Sequence, residues 1–355
     1  MKSRWILFVA IMLMLIATAC GGGDNGNGGP VRMYVTNAGS ASISGFSLSS
    51  GGSVGGLSES PYTAGNTPTA VVIVPGNFLL STNAGDNTIS RFQVDSGGFL
   101  NPFEGPINTA LTPSSMVVSS SGAFVYVANS GSGDISVYAY SAGALAQITG
   151  SPFPAQVGAA QLAITPSGNF LYVTNQAMSS ISGYSVASSG ALTPLAGSPF
   201  TTGVGQQPVG IAISPSGSFL YVANRGSNNF SGFAIDAAGN LTPLANSPYA
   251  GGTAPVGVAW DPTGNFLYVV NQTSADVTGL QIASDGTPTP IAGSPWTTGG
   301  RGESAIAVDP NGNTVVTLNQ ATNTLTVFTK DSSGALKAGF PVETGTAPSG
   351  IVITK

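Results

Sequence analysis

Among the 355 residues, charges are so sparse that each one invites a reading. There are nine lysines and arginines, fourteen aspartates and glutamates and no histidine. The lack of histidine excludes histidine general bases, Ser-His-Asp triads and histidine-ligated zinc. The candidates for chemistry are therefore few. Arg225 and the closely spaced Arg301 and Glu303 break an otherwise regular pattern, and they are treated as possible catalytic or ligand-contacting groups. The competing reading is that they are exposed solubilising charges, since surface Arg and Glu are common. Gln176, Gln272, Gln320, Asp86 and Asp134 are the candidate ligand-binding residues, because varied polar side chains gather on their loops.

Seven asparagines recur at Asn37, Asn83, Asn129, Asn175, Asn224, Asn271 and Asn319. A ring of amides could hold a ligand. Asn side chains also stabilise turns by bonding nearby backbone, and that structural reading suits a sevenfold repetition better. Asp309-Pro-Asn-Gly-Asn313 faintly resembles a calcium loop. Other copies have a plain Pro-x-Gly turn there, and no glutamate stands at loop position twelve, so a turn is expected. No metal site and no cofactor are expected.

These residues must be positioned by a repeat. The asparagines are separated by 46, 46, 46, 49, 47 and 48 residues, so there are seven copies. A period in the 40–50 range with several short β runs per copy predicts a β-propeller. Each copy carries four strand signals. An apolar run such as Leu162-Ala-Ile164 is read as a strand buried on both faces. A Pro-x-Gly turn then leads to a FLYVTN-like strand, rich in aromatic and β-branched residues. The third strand alternates with period two, and a Ser/Gly turn leads to the fourth. Proline in or near that fourth strand (Pro61, Pro102, Pro152, Pro199, Pro248, Pro295, Pro341) marks it as the outer edge, because proline cannot donate to a ladder. The expected fold is all-β: seven four-stranded antiparallel blades with the apolar first strand lining the channel. The Asn-ended loops and the blade-to-blade connections share one face, where a ligand is expected.

The folded chain begins at Val31 in a second strand and ends in a first strand, Pro348 to Ile353. The C-terminal strand should therefore complete the N-terminal blade and close the ring. Residues 31–355 are read as one domain.

Residues 1–19 read as a lipoprotein signal peptide. Lys2 and Arg4 precede an uncharged run from Trp5 to Ala19, too short to span a membrane. Ile16-Ala-Thr-Ala-Cys20 resembles a lipobox, which makes Cys20, the single cysteine, the expected lipidation site. Residues 20–30 form a Gly-rich tether whose ten residues after Cys20 have a root-mean-square reach of roughly 17 Å. Export to a bacterial envelope is expected, periplasmic, at the outer membrane or on the cell surface, with the lipid as the only membrane contact. Without Lys2 and Arg4, seven basic and fourteen acidic residues remain, and no basic cluster survives, so nucleic acid is not an expected partner. The expected partners are an envelope protein, a glycan or a small molecule, and the chain is expected to be monomeric.

The repeated LYVTN and LYVAN phrases resemble the YVTN-repeat and lactonase propellers, the family of 6-phosphogluconolactonase. Phe219-Leu-Tyr-Val-Ala-Asn-Arg225-Gly226 is similar to the family's FLYVSNRGHDS segment, and Asn319 to Phe328 to its NQ…VxVF segment. The resemblance implies a seven-bladed propeller and a lactone hydrolase in which an arginine polarises the carbonyl and a carboxylate guides water. Departures fall at the polar centre. Ser227 replaces a histidine, Val157-Gly-Ala-Ala-Gln161 replaces Gly-Pro-Arg-His, and an acidic residue is replaced near Val209-Gly210. The leading expectation is thus a lipid-anchored envelope module that binds through its Asn-loop face without catalysis. A sugar-lactone hydrolase and a structural or adhesion module are the alternatives.

Overall fold

The computed structural model describes residues 31–354, so the expected signal peptide, Cys20 and tether lie outside the described residues. Seven antiparallel sheets form seven blades. Blade 5 is representative: an inner strand Pro208–Ile213, a second strand Phe219–Asn224, a third strand Asn229–Ile235 and an outer edge. Every inner strand packs against the inner strands on both sides, including the last against that of blade 2, so the seven encircle one axis. Closure occurs as expected. Pro348–Thr354 pairs with Val31–Asn37, with Met33 opposite Ile353 and Val35 opposite Ile351. Val31–Asn37 is thereby paired on both sides, and Ile351, Val352 and Ile353 are buried.

The blades are not four-stranded in the plain sense. The outer edge is two short pieces that both pair with the third strand, Leu241–Pro243 and Tyr249–Ala250 in blade 5. A Ser-Pro pair interrupts the edge in five blades, and proline has no N–H to give a ladder. Beside it the serine hydroxyl takes the place of a ladder carbonyl by accepting a third-strand N–H, as Ser198 does from Gly183 at 3.0 Å and Ser247 from Gly232 at 3.0 Å. The equivalence of Pro102 is also corrected. Pro102 ends the first outer piece of blade 2, and Pro106 stands immediately before the second, Ile107–Asn108.

The FLY phrase ties each blade to the next. In blades 3 to 6 the phenylalanine ring packs on a turn glycine of the following blade, and a Cβ built on Gly190, Gly239, Gly286 or Gly334 would fall 2.5 Å from it. Those glycines have positive φ, which suits them to the turn. The tyrosine two residues on donates to a carbonyl of the same turn: Tyr172 to Gly239 at 2.7 Å, Tyr268 to Gly334 at 2.8 Å, and Tyr221 to Gly286. Tyr34 does the same to Gly98 at 2.7 Å. Tyr126 departs from the pattern, with a buried hydroxyl that has no partner. Burial pushes its pKa up to about 12. At the axis, hydroxyls stitch successive inner strands: Ser114 to Ala159 O at 2.8 Å, Ser304 to Pro348 O at 2.8 Å and Ser349 to Pro68 O at 2.7 Å.

These ties differ in a measurable way. Tyr172→Phe and Tyr268→Phe each remove a satisfied buried hydrogen bond and should cost about 1–1.5 kcal/mol. Tyr126→Phe removes only an unpaired buried hydroxyl and should be neutral or slightly stabilising. Denaturant melts of the three variants check this, and an equal loss at Tyr126 would contradict the assignment.

Candidate functional site

The seven asparagines are all buried, and their amides serve the fold. Each Nδ2 donates to side chains five and seven residues further on, in the paired third strand. Asn175 reaches Ser180 at 3.1 Å and Ser182 at 2.9 Å, and Asn319 reaches Thr324 and Thr326, both at 3.0 Å. The structural reading therefore holds, though the partners are third-strand side chains rather than mainly backbone. A glycine of the adjoining connection packs against the amide. A Cβ on Gly300 would fall 2.2 Å from Asn319 Cγ, and one on Gly205 would fall 2.4 Å from Asn224 Nδ2. Asp134 belongs to this system, accepting from Asn129 Nδ2 at 2.7 Å. Asp86 is likewise engaged, holding Asn66 through its backbone N–H at 2.6 Å and its amide at 2.7 Å.

The residue after each asparagine has a fixed place. Its N–H donates to the carbonyl of the residue directly before the inner strand of its own blade: Ala38 to Ala347, Ala84 to Thr67, Ser130 to Thr112, Gln176 to Gly158, Arg225 to Gln207, Gln272 to Ala254 and Gln320 to Gly302. Seven equivalent positions therefore ring the axial mouth on the Asn-loop face. Blades 1 to 3 fill them with Ala38, Ala84 and Ser130. Blades 4 to 7 fill them with Gln176, Arg225, Gln272 and Gln320, a half-ring of long polar side chains. Gln272 Nε2 donates to the Glu303 carbonyl at 3.2 Å, at the head of the next inner strand. The Arg225 guanidinium has no hydrogen bond or ion pair among the described residues and is partly exposed.

Glu303 begins the inner strand of blade 7, where five blades have proline and one has Ala159. It is 0% exposed. Thr298 Oγ1 donates to its Oε1 at 2.5 Å, while Oε2 is buried without a partner. The reason is a shorter connection. In blade 5 the equivalent Thr202 hydroxyl meets the Gly205 carbonyl at 2.5 Å, over a connection one residue longer, and in blade 7 the Glu303 carboxylate takes that role. Desolvation raises the Glu303 pKa, Thr298 opposes the shift, and nearby Asp276 adds to it. Arg301, two residues earlier, is exposed, and among the described residues no ion pair joins it to Glu303. The two candidate charges therefore face different environments.

Asp309 is a turn residue. Its carboxylate accepts from Asn311 N at 2.8 Å, from Thr314 Oγ1 at 2.9 Å and from Thr314 N. The hydroxyls of Ser119, Thr165 and Ser214 accept the corresponding strand N–H in other blades. Arg91, not singled out in the sequence, is buried at the rim of blade 2. It donates to Gly105 O at 2.7 Å and pairs with Glu104 at 2.8 Å. Four exposed apolar residues, Leu111, Val157, Met178 and Val204, follow one another on the Asn-loop face over blades 3 to 5. Leu111, Val157 and Val204 lie on blade-to-blade connections and Met178 on the Asn-ended loop of blade 4, segments whose variation the repeat masks. A groove of about 720 Å³ between blades 7 and 1 runs past Ser40, Thr63, Thr322 and Glu343, and none of the candidate site residues lines it.

The sequence matches the family described as Lactonase, 7-bladed beta-propeller, over residues 32–149 and 198–295. No curated protein sequence gives a significant match. Several crystal structures share the fold. A putative 6-phosphogluconolactonase from Bacteroides fragilis is 20% identical, with a TM-score of 0.81 over 92% of this chain and 98% of that one. A periplasmic gluconolactonase from Pseudomonas aeruginosa is 21% identical, with a TM-score of 0.78 over 92% and 99%. A protein from Lactobacillus plantarum is 21% identical, with a TM-score of 0.79 over 92% and 99%.

The raised pKa of Glu303 has a stability consequence. A folded-state pKa above the unfolded value means that protonation favours the fold. That contribution is complete below the unfolded value, near pH 4, and is lost as pH rises through the folded value. Glu303→Gln should therefore gain stability relative to the parent at pH 8 and gain less at pH 4. Paired thermal melts measure the difference. A variant less stable at pH 8 than at pH 4, relative to the parent, would reverse the sign.

Proposed function

Because the chain belongs to the lactonase family of seven-bladed β-propellers, we propose that it hydrolyses a lactone at the axial mouth of the Asn-loop face. The observation that carries this reading is Arg225, the one cation in the polar half-ring, whose guanidinium has no partner among the described residues. In this role it hydrogen-bonds the lactone carbonyl and stabilises the oxyanion formed when water adds. Gln176, Gln272 and Gln320 orient the ring substituents. The names of the Bacteroides fragilis and Pseudomonas aeruginosa proteins favour a sugar lactone as substrate. Glu303 holds the mouth together beneath its connection, since its buried carboxylate is shielded from water. Arg301 is on the exposed part of that connection and contributes charge at the mouth.

A second reading, a binding module without catalysis, is favoured by the exposed apolar arc of Leu111, Val157, Met178 and Val204 on the same face. An envelope protein would be its natural partner, since such patches mark interaction sites. Hydrolysis of aldonolactones by the purified protein separates the two. Arg225→Ala should lower kcat/KM by roughly 10²–10³-fold with the melting temperature unchanged. Full retention of turnover in the variant would remove Arg225 from the mechanism, and no turnover by the parent would leave the binding reading.

We also propose export and lipid anchoring through Cys20, on the strength of the Ile16-Ala-Thr-Ala-Cys20 segment. No helix among the described residues is long and apolar enough to cross a membrane. Cys20→Ala should move the protein from the membrane to the soluble fraction in a fractionation blot. Retention of the variant on membranes would count against the anchor.

A further inference from the structure

Charge placement narrows the substrate class. The described residues include six cations, and four are remote from the mouth or already committed. Arg32 lies at the opposite end of its strand and donates to Ser96 O. Arg91 is buried against Glu104 and the carbonyls of Gly105 and Gly143. Lys330 ends a third strand, 3.5 Å from Asp261, and Lys337 sits on the outer edge of blade 7. Only Arg225 and Arg301 stand on the Asn-loop face beside the mouth. The same face carries Asp86, Asp134, Asp276 and Glu303, so carboxylates outnumber cations there.

The remaining lining is neutral and two-sided in its hydrogen bonding. Each glutamine of the half-ring offers two N–H donors and one carbonyl acceptor. A sugar hydroxyl both donates and accepts and can satisfy either end of such an amide. A phosphomonoester carries about −1.5 to −2 charges at neutral pH and offers only acceptors. It would leave the amide oxygens unmatched and face the neighbouring carboxylates. Phosphate recognition normally uses several cations or a helix N-terminus, and the one helix among the described residues is the three-residue turn Gln176–Met178.

We propose that the mouth is built for an uncharged, polyhydroxylated lactone and discriminates against its phosphorylated counterpart. This rests on the lactonase reading, with Arg225 committed to the carbonyl and the three glutamines reading hydroxyls. The opposite arc supplies the contrast: Ala38, Ala84 and Ser130 occupy the same backbone position without a charge, so that arc offers no cation to a distal phosphate.

The test compares kcat/KM for glucono-1,5-lactone and its 6-phosphate with the full protein, following acid release at constant pH. The neutral lactone should be preferred at least tenfold. Gln272→Ala should reduce turnover of the neutral lactone, and Ala38→Lys should narrow the preference at least threefold by improving the phosphorylated substrate. Melting temperatures identify any variant that fails to fold, and the parent's ratio stands independently of the variants. Equal or better turnover of the phosphorylated lactone overturns this inference and leaves the lactonase reading intact. Turnover of neither compound overturns both.

Discussion

The buried asparagine amide at the end of each second strand is the constraint on which the mouth depends. It bonds two side chains of the third strand and, as at Asn224 and Asn319, packs against the connection from the preceding blade, so one group fixes the loop and the blade junction together. The next residue is then clamped by its N–H to the carbonyl before the inner strand of its own blade. Because the amide Nδ2 is engaged inside the fold, the residue after it is free to vary. Ala38, Ser130, Gln176 and Arg225 share one backbone position and differ only in what they present there.

That arrangement explains how a nearly symmetric ring acquires an asymmetric site. The repeats keep the residues that tie blades to each other, such as Tyr172 with Gly239 and Ser349 with Pro68. Much of the variation falls on side chains that carry no tie. The half-ring from Gln176 to Gln320 and the apolar arc from Leu111 to Val204 are both of this kind. A rigid frame holds the polar groups with little reorganisation, the condition under which a single guanidinium acts strongly on a developing oxyanion.

Glu303 marks the place where the frame itself is altered. A carboxylate at the head of an inner strand replaces the proline or alanine of the other blades, and a shortened connection puts it under Thr298. Burial of an acid with one unpaired oxygen costs stability, and natural proteins tolerate such costs mainly near functional sites. Its position beside Gln272 is consistent with that pattern.

The repeat period, the strand types, the Pro-x-Gly turns and the phase that closes the ring were all legible in the sequence. Each rests on local chemistry: period-two burial, proline and glycine backbone preferences, and aromatic fit to a pleated sheet. The expected structural role of the asparagines followed from their sevenfold repetition. Other features needed tertiary structure, because they depend on groups distant in sequence or on direction at a strand head. Tyr268 finds its partner 66 residues away in the next blade. The outer edge divides because a serine hydroxyl, not a backbone group, meets the third strand beside proline. Arg301 and Glu303 are two residues apart and were read as a pair. One sits on an exposed connection and the other starts a buried strand, so the change from loop to strand sends their side chains into different environments.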